Sequence, residues 1–172
     1  MINLEETVVR KLKTTQQILC TVESCTGGMI AHLVTTIAGA SEIFWGGWVV
    51  YDNSAKEDLG VPKTLIENHG AVSSEVAQAL AENGLRKMQT NSARTESRSL
   101  LKPRGLICVS TTGIAGPSGG TPEKPVGLCY IGVAVSGKGT HVEKLLIDAP
   151  SDRIQTKTFF AHRALELIRE II

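Results

Sequence analysis

Two short apolar runs in this chain each end directly at a glycine-rich segment. Residues 18–22 lead into ESCTGG, and residues 105–110 lead into TTGIAGPSGGTPEKP, the densest glycine and proline region. Short apolar runs bounded in this way are typical of buried strands that end in tight loops. We therefore expect a sheet whose strand ends carry two loops with an unusual backbone path.

Helical patterns separate the predicted strands. Leu4, Val8 and Leu12 recur at helical spacing, and a second helical stretch begins within residues 28–33. Polar caps predict the starts of three further helices, at Asn53, at Ser73 or Ser74, and at Ser151 or Asp152. The Asn53 helix should end by Gly60, because glycine favours a C-terminal turn.

Further strands are expected over residues 45–51, 126–135 and 141–147, with a hairpin at SGKG between the last two. We expect the 45–51 strand to be buried, because Gly46 and Gly47 allow neighbouring backbone to approach closely. Two consecutive strands make the sheet mixed. The predicted fold class is α/β, a three-layer α/β/α sandwich with a mixed five- or six-stranded sheet, in one domain over residues 1–172.

Composition and charge argue against several classes of protein. The net charge of +1 provides no overall field for nucleic acid, and the basic stretch 86–104 has no interleaved aromatic residue for base stacking. Residues 90–104 are predicted to be a polar surface excursion. No apolar run approaches the roughly 20 residues that span a bilayer, and the N-terminus lacks a signal-peptide core. We expect a cytoplasmic protein with no membrane partner.

Four scattered cysteines, Cys20, Cys25, Cys108 and Cys129, form no CxxC or Cys/His cluster. A zinc site is therefore not predicted, and in a reducing compartment the thiols are expected to stay free.

The first glycine-rich loop presents Ser24 at a predicted helix start. A serine hydroxyl needs a base to become a nucleophile, and none of the four histidines lies in a recognisable Ser-His-Asp pattern. Lys56 is the other candidate, because burial and the positive end of a helix both lower a lysine pKa. A solvated surface lysine remains the alternative at this stage.

Backbone amides over residues 25–28 could bind the oxyanion that forms when an amide is attacked. Gly27 and Gly28 would let a substrate approach that backbone, although a simple helix start explains the same residues. Cys25 is a rival nucleophile, since a helix start lowers a thiol pKa. The loop over residues 112–120 could cradle a phosphate, with Lys124 to neutralise its charge.

Five motifs occur in family order: ESCTGG, GGWVVYDNSAK, HGAVSSEVA, TGIAGPSGGTPEKPVG and a final SDRIQTK helix. Together they resemble the CinA C-terminal domain family, whose stand-alone members are nicotinamide-nucleotide amidases. The resemblance covers nearly the whole chain, from Leu4 to Ile171. It implies hydrolysis of nicotinamide mononucleotide, a small-molecule nucleotide, to nicotinate mononucleotide and ammonia. It also implies that the reaction needs no metal or organic cofactor and that the protein is a symmetric homodimer.

The resemblance also assigns residues. It places a catalytic serine at Ser24, a catalytic lysine at Lys56 within the YxNxxK pattern, and Tyr51 and Thr112 as groups that orient the lysine. Substrate-binding positions fall on both loops, on the YxNxxK pattern and on the last helix: Cys25, Thr26, Gly27, Gly28, Asn53, Gly113, Gly116 and Lys157.

The sequence departs from the family pattern at two places. The segment over residues 90–104 is longer than usual, and Lys157 stands where DRxxxR has arginine, which loses a bidentate grip on phosphate. The pyrophosphatase domain of longer relatives is not seen, so that activity is not expected. Two rival functions remain: a non-catalytic nucleotide-binding module, and an amidase of the same fold that acts on another amide.

Overall fold

The computed structural model describes residues 3–92, 103–148 and 152–172, which fold around one mixed five-stranded sheet. The strands are β1 (Gln17–Glu23), β2 (Phe44–Val49), β3 (Gly105–Gly113), β4 (Leu128–Val135) and β5 (Gly139–Leu146). The helices are α1 (Leu4–Thr15), α2 (Met29–Thr35), α3 (Asn53–Leu59), α4 (Lys63–His69), α5 (Ser74–Ser92) and α6 (Arg153–Ile171).

The strands lie in the order β2-β1-β3-β4-β5. β1 pairs in parallel with β2 and β3, whereas β4 pairs antiparallel with β3 and β5. The β4–β5 hairpin and the mixed sheet confirm the prediction. Because β1, β2 and β3 are parallel, their carboxyl ends meet at the same edge of the sheet.

Helices cover both faces of the sheet, which confirms the three-layer α/β/α sandwich. On one face, α1, α2 and α6 pack around fully buried residues such as Val8, Ile30 and Phe160. On the other face, α3, α4 and α5 supply a second cluster that includes Leu59 and Leu80. The side chains of β1 alternate between the two faces, so this strand joins both cores.

The predicted burial of the strand over residues 45–51 is wrong, because β2 is an edge strand whose residues are half-buried or exposed. Gly47 still has the close approach expected of it, since a Cβ there would collide with the Thr21 side chain and lie 2.8 Å from the Thr21 carbonyl oxygen. Two aromatic rings of β2, Trp45 and Trp48, pack together at 5.3 Å between centroids.

The helix caps differ from the predictions at one position. Asp52, not Asn53, caps α3, because its carboxylate accepts the Ser54 amide, and Gly60 ends the helix as expected. Asp152 caps α6. The alternative cap Ser151 lies outside the described residues.

Ser73 caps α5 by accepting the Val76 amide at 3.3 Å. This helix continues to Ser92, so the first residues of the predicted excursion over 90–104 are helical. Residues 93–102, which make up most of the predicted excursion, lie outside the described residues. Helix α4 was not predicted, because its seven residues are too few for a clear period.

Across residues 3–92, 103–148 and 152–172, no helix combines the length and apolar character needed to cross a membrane. All four cysteines are buried and have free thiols.

Candidate active site

A cavity of about 250 Å³ lies where the carboxyl ends of the parallel strands meet. Ligands gather at this edge in open α/β sheets, because the connecting loops there surround a crevice. The residues lining it come from the end of β3, from the loops after β1, β2 and β3, from α3, from the turn between α4 and α5, and from the first turn of α6: Ser24, Cys25, Tyr51, Asn53, Lys56, Ala71, Val72, Thr112, Gly113, Ile114, Ala115, Gly116, Ser118, Gly119 and Arg153. Segments far apart in sequence thus share one cavity.

Ser24 is the first residue after β1, and we call residues 24–28 the Ser24 loop. Its backbone amide donates to the Thr111 carbonyl oxygen at 3.0 Å, which ties the loop to the neighbouring strand β3. Its side chain is nearly buried, with 8% of the residue exposed. In the part of the chain that the structure describes, the Ser24 hydroxyl makes no hydrogen bond, so it is free to face a ligand.

Lys56 lies on α3 and is only 2% exposed, which overturns the surface-lysine alternative. Its amine donates to the Tyr51 carbonyl oxygen at 2.9 Å and to the Asp52 carbonyl oxygen at 3.4 Å. Burial lowers the pKa of Lys56, and the nearby Asp52 carboxylate opposes that shift only in part. The lysine is thus poised to lose its proton more readily than a solvated lysine.

The glycines of the Ser24 loop are required by backbone conformation. Gly27 and Gly28 have φ of 63° and 93°, in the left-handed region that other residues rarely adopt. A Cβ on Gly28 would meet only the Val49 side chain, at 3.6 Å, so space alone does not demand glycine there. Neither glycine lies among the described residues that line the cavity.

Two of the four amides expected to bind the oxyanion, those of residues 27 and 28, are already engaged. The Gly28 amide donates to the Glu23 carboxylate at 2.9 Å, and the Gly27 amide donates to the Ser24 carbonyl oxygen at 3.2 Å. The prediction that these two amides serve an oxyanion is therefore wrong in this conformation. Among the described residues, the Cys25 amide donates to no protein acceptor, and because Cys25 lines the cavity this amide remains as the candidate.

Thr26 is fully buried and holds the loop together. Its hydroxyl donates to the Glu23 carboxylate at 2.7 Å and lies 2.8 Å from the Thr111 hydroxyl. A direct contact between this side chain and a substrate is therefore excluded in this conformation. Lys157 packs near Gly27, where a Cβ would lie 3.3 Å from its Nζ, and is not among the described lining residues.

Tyr51 and Thr112 line the cavity. Contrary to the prediction, their side chains form no hydrogen bond with Lys56 and have other partners. The Thr112 hydroxyl donates to the Ala71 carbonyl oxygen at 2.7 Å, and the Tyr51 hydroxyl accepts from Arg153 at 2.7 Å. Tyr51 contacts the lysine amine only through its backbone carbonyl oxygen. Both side chains instead connect the cavity wall to neighbouring elements.

The second glycine-rich loop forms a second wall of the cavity, with Gly113, Gly116 and Gly119 among its lining residues. The Ile114 amide is used by the Leu128 carbonyl oxygen, whereas within the described residues the amides from 118 to 120 donate to no protein acceptor. This loop can therefore offer N–H groups to an anion. Lys124 does not join them, because its amine donates to the His69 carbonyl oxygen at 2.6 Å.

Arg153 is a cavity residue that the sequence analysis did not select. It is the first residue of α6, and its guanidinium donates to the Gly116 carbonyl oxygen at 2.6 Å and to the Tyr51 hydroxyl at 2.7 Å. Arg153 thus bridges both walls of the cavity with donors to spare, since a guanidinium carries five N–H groups. The signal was its place in the SDRIQTK motif, directly after the helix cap.

The polar groups that line the cavity are hydroxyls, a phenol, a thiol, a side-chain amide, an amine, a guanidinium and backbone amides. Its described lining contains no histidine and no carboxylate, so a Ser-His-Asp triad is not assembled there. His69 and His162 lie instead against Glu75 and Glu5. Among the described residues, no group of three or more potential ligands is arranged to hold a metal ion.

Comparison with known proteins gives one consistent result. The family model for the CinA C-terminal domain matches residues 1–97 and 98–172. A CinA-like protein of Chlorobium phaeovibrioides is 42% identical over 174 residues, and one of Thermotoga maritima is 42% identical over 170 residues. These matches cover 99% and 98% of this chain, but the chain spans only 37% of the length of each relative.

A solved structure has the same fold. The competence/damage inducible protein CihA from Agrobacterium tumefaciens superposes with a TM-score of 0.83 at 31% sequence identity. The superposition covers 97% of this chain and 94% of that one.

Proposed function

The chain belongs to the CinA C-terminal domain family, and we propose that it hydrolyses the carboxamide of nicotinamide mononucleotide to nicotinate mononucleotide and ammonia. The observation that carries this proposal is the burial of Lys56 in the same cavity as Ser24, with a pKa lowered by that burial. A nucleophilic serine needs a base, and this amine is the cavity group suited to that role.

The hydrogen bonds of Lys56 leave one tetrahedral position of its nitrogen open. A neutral amine has two N–H groups and one lone pair, and the Tyr51 and Asp52 carbonyl oxygens accept from this amine. With both N–H groups engaged, the remaining tetrahedral position is the lone pair. In our proposal this lone pair takes the Ser24 proton once the substrate is bound.

The first half of the reaction then follows. Ser24 Oγ bonds to the carboxamide carbon while its proton passes to Lys56, and the Cys25 amide stabilises the oxyanion. The C–N bond breaks as Lys56 returns the proton to the leaving nitrogen, which departs as ammonia. An acyl ester on Ser24 remains.

Water completes the cycle by the reverse sequence of proton transfers. Neutral Lys56 takes a proton from the water that attacks the ester carbon. It then returns the proton to Ser24 Oγ as the acyl bond breaks, releasing the acid. No external oxidant, reductant or metal is needed to balance these steps.

Arg153 and the second glycine-rich loop support a substrate that carries an anion. Arg153 is the guanidinium in the lining, and the neighbouring amides of residues 118 and 119 are available donors. A phosphate is matched by planar guanidinium donors and by glycine-rich backbone. We therefore assign the phosphate of the mononucleotide to this side of the cavity.

Ammonia release from nicotinamide mononucleotide, nicotinamide riboside and nicotinamide tests the proposal. We expect turnover of the mononucleotide by the wild-type protein and loss of turnover in Ser24→Ala and Lys56→Met. Lys87→Met, at an exposed position of α5, is the matched control and should remain active. Turnover of a different amide alone would show that the substrate is wrong, and full activity of Ser24→Ala would show that the mechanism is wrong.

A further inference from the structure

We propose that Glu23 is a positioning residue whose negative charge holds the Ser24 loop in the shape needed for reaction. Glu23 is the last residue of β1 and directly precedes the serine. It is 1% exposed and does not line the described cavity, so it acts through the loop rather than on the substrate. This inference rests on the proposed role of Ser24.

The Glu23 carboxylate collects four hydrogen bonds from the loop and from the start of α2. One oxygen accepts from the Thr26 hydroxyl at 2.7 Å, the Gly28 amide at 2.9 Å and the Ile30 amide at 3.0 Å. The other oxygen accepts from the Ala31 amide at 2.9 Å. A single side chain thus fixes the backbone between the end of β1 and the first turn of α2 by hydrogen bonds.

A second strand shares in this network. Because a carboxylate only accepts, the Thr26 hydroxyl donates to Glu23 and accepts from the Thr111 hydroxyl, 2.8 Å away. The Thr111 carbonyl oxygen also accepts the Ser24 amide at 3.0 Å. Ser24 is therefore held from β3 on one side and, through Thr26 and Gly28, from Glu23 on the other.

The charge of Glu23 is what the network requires. Among the described residues Glu23 has no cationic partner, and burying an unpaired carboxylate is unfavourable unless hydrogen bonds replace its hydration. A neutral serine or asparagine cap would suffice to start a helix as short as α2. A carboxylate differs in accepting on both oxygens, and this geometry uses both.

Glutamine at this position would have the same size but only one acceptor oxygen. Its NH₂ group would point either at the Ala31 amide or at the three donors on the other side, so N–H would face N–H in each case. The Ser24 loop must then shift. Because it carries both the nucleophile and the Cys25 amide, a shift of about 1 Å should cost about a hundredfold in rate.

The test compares Glu23→Gln with Glu5→Gln, a nearly buried glutamate on α1 that hydrogen-bonds His162 at 2.9 Å. We would measure kcat and KM for ammonia release, the rate of Ser24 modification by a fluorophosphonate, and urea unfolding. We expect Glu23→Gln to lower kcat and the modification rate by about a hundredfold with KM within threefold, since Arg153 lies outside the loop. Glu5→Gln should change only stability.

A folded Glu23→Gln protein with kcat and modification rate within threefold of wild type would overturn the proposal. If Glu23→Gln does not fold, Thr26→Val removes one donor to the intact carboxylate, and Thr26→Ser restores it. A low kcat and modification rate in Thr26→Val, with both near wild type in Thr26→Ser, supports the proposal. Equal kcat and modification rates in the two variants contradict it.

The two proposals fail in different ways. A wild-type protein that reacts with the fluorophosphonate at Ser24 but releases no ammonia would overturn the proposed function while leaving the Glu23 comparison valid. A protein that does neither would overturn both.

Discussion

The amine of Lys56 lies 2.9 Å from the backbone carbonyl oxygen of Tyr51, at the turn where β2 leads into α3. A backbone partner cannot be lost by mutation of the Tyr51 side chain, so the position of this amine depends on the fold itself. Burial and this hydrogen bond together make Lys56 the group whose protonation should control the reaction.

Activity should rise with pH as Lys56 loses its proton. Because burial lowers the Lys56 pKa, the limb in kcat/KM should have its midpoint below the ordinary lysine value of about 10.4. Ammonia release measured from pH 6 to pH 10 checks this. A rate that falls as pH rises over that range would contradict a neutral Lys56 as the base.

Stability should carry the same signature. The folded-state pKa of Lys56 lies below the unfolded value, so the unfolded state binds more protons between them and wild-type stability rises with pH there. Each unit of lowering corresponds to about 1.4 kcal/mol. Urea unfolding gives the free energy of unfolding of wild type and of Lys56→Met at each pH. From pH 7 to pH 9.5 this free energy should increase for wild type relative to Lys56→Met. A constant difference would mean that Lys56 titrates alike in both states.

Arg153→Gln should weaken binding of the phosphorylated substrate. Hydrogen bonds to charged groups contribute about 1.5 to 3 kcal/mol, so KM for nicotinamide mononucleotide should rise about 10- to 100-fold. Tyr51→Phe, which removes the hydroxyl that Arg153 contacts, should have a smaller effect. Arg10→Gln, at an exposed arginine of α1, is the matched control. An unchanged KM in Arg153→Gln would place the phosphate elsewhere.

Cys25→Ala should remain active, within about fivefold of wild type, because the substitution keeps the backbone amide and removes only the thiol. The thiol lies 3.8 Å from the Cys129 thiol and is nearly buried, so the substitution mainly removes a packing contact. Kinetics of Cys25→Ala beside Ser24→Ala decide between the two nucleophiles. Loss of turnover in Cys25→Ala with retention in Ser24→Ala would reverse the assignment.

Gly84→Ala should destabilise the protein although alanine favours helices. A Cβ on Gly84 would lie 2.5 Å from both Cys108 Sγ and the Val22 side chain, where α5 packs on the sheet. Overpacking of this kind costs about 1 to 3 kcal/mol. Gln89→Ala, exposed on the same helix, should change unfolding free energy by less than about 0.5 kcal/mol. Equal stability of the two variants would mean that α5 moves freely away from the sheet.

The sequence predicted the elements that local patterns encode. The strand before ESCTGG, the hairpin at SGKG and the mixed sheet were expected from apolar periodicity and turn residues, and the structure confirms them. The burial of β2 was predicted wrongly, because whether a strand lies at the centre or at the edge depends on strand order. Strand order is a long-range property that no local pattern encodes.

The sequence by itself determined that a serine loop and a lysine follow predicted strands, and its motifs indicated the family. Only the tertiary structure decided which groups those residues face. Thr111, 85 residues from Thr26, and Arg153, 102 residues from Tyr51, become neighbours through sheet register and helix packing. The competition for the amides of the Ser24 loop is likewise visible only in space, because Glu23 must be buried under α2 before its carboxylate can engage Gly28.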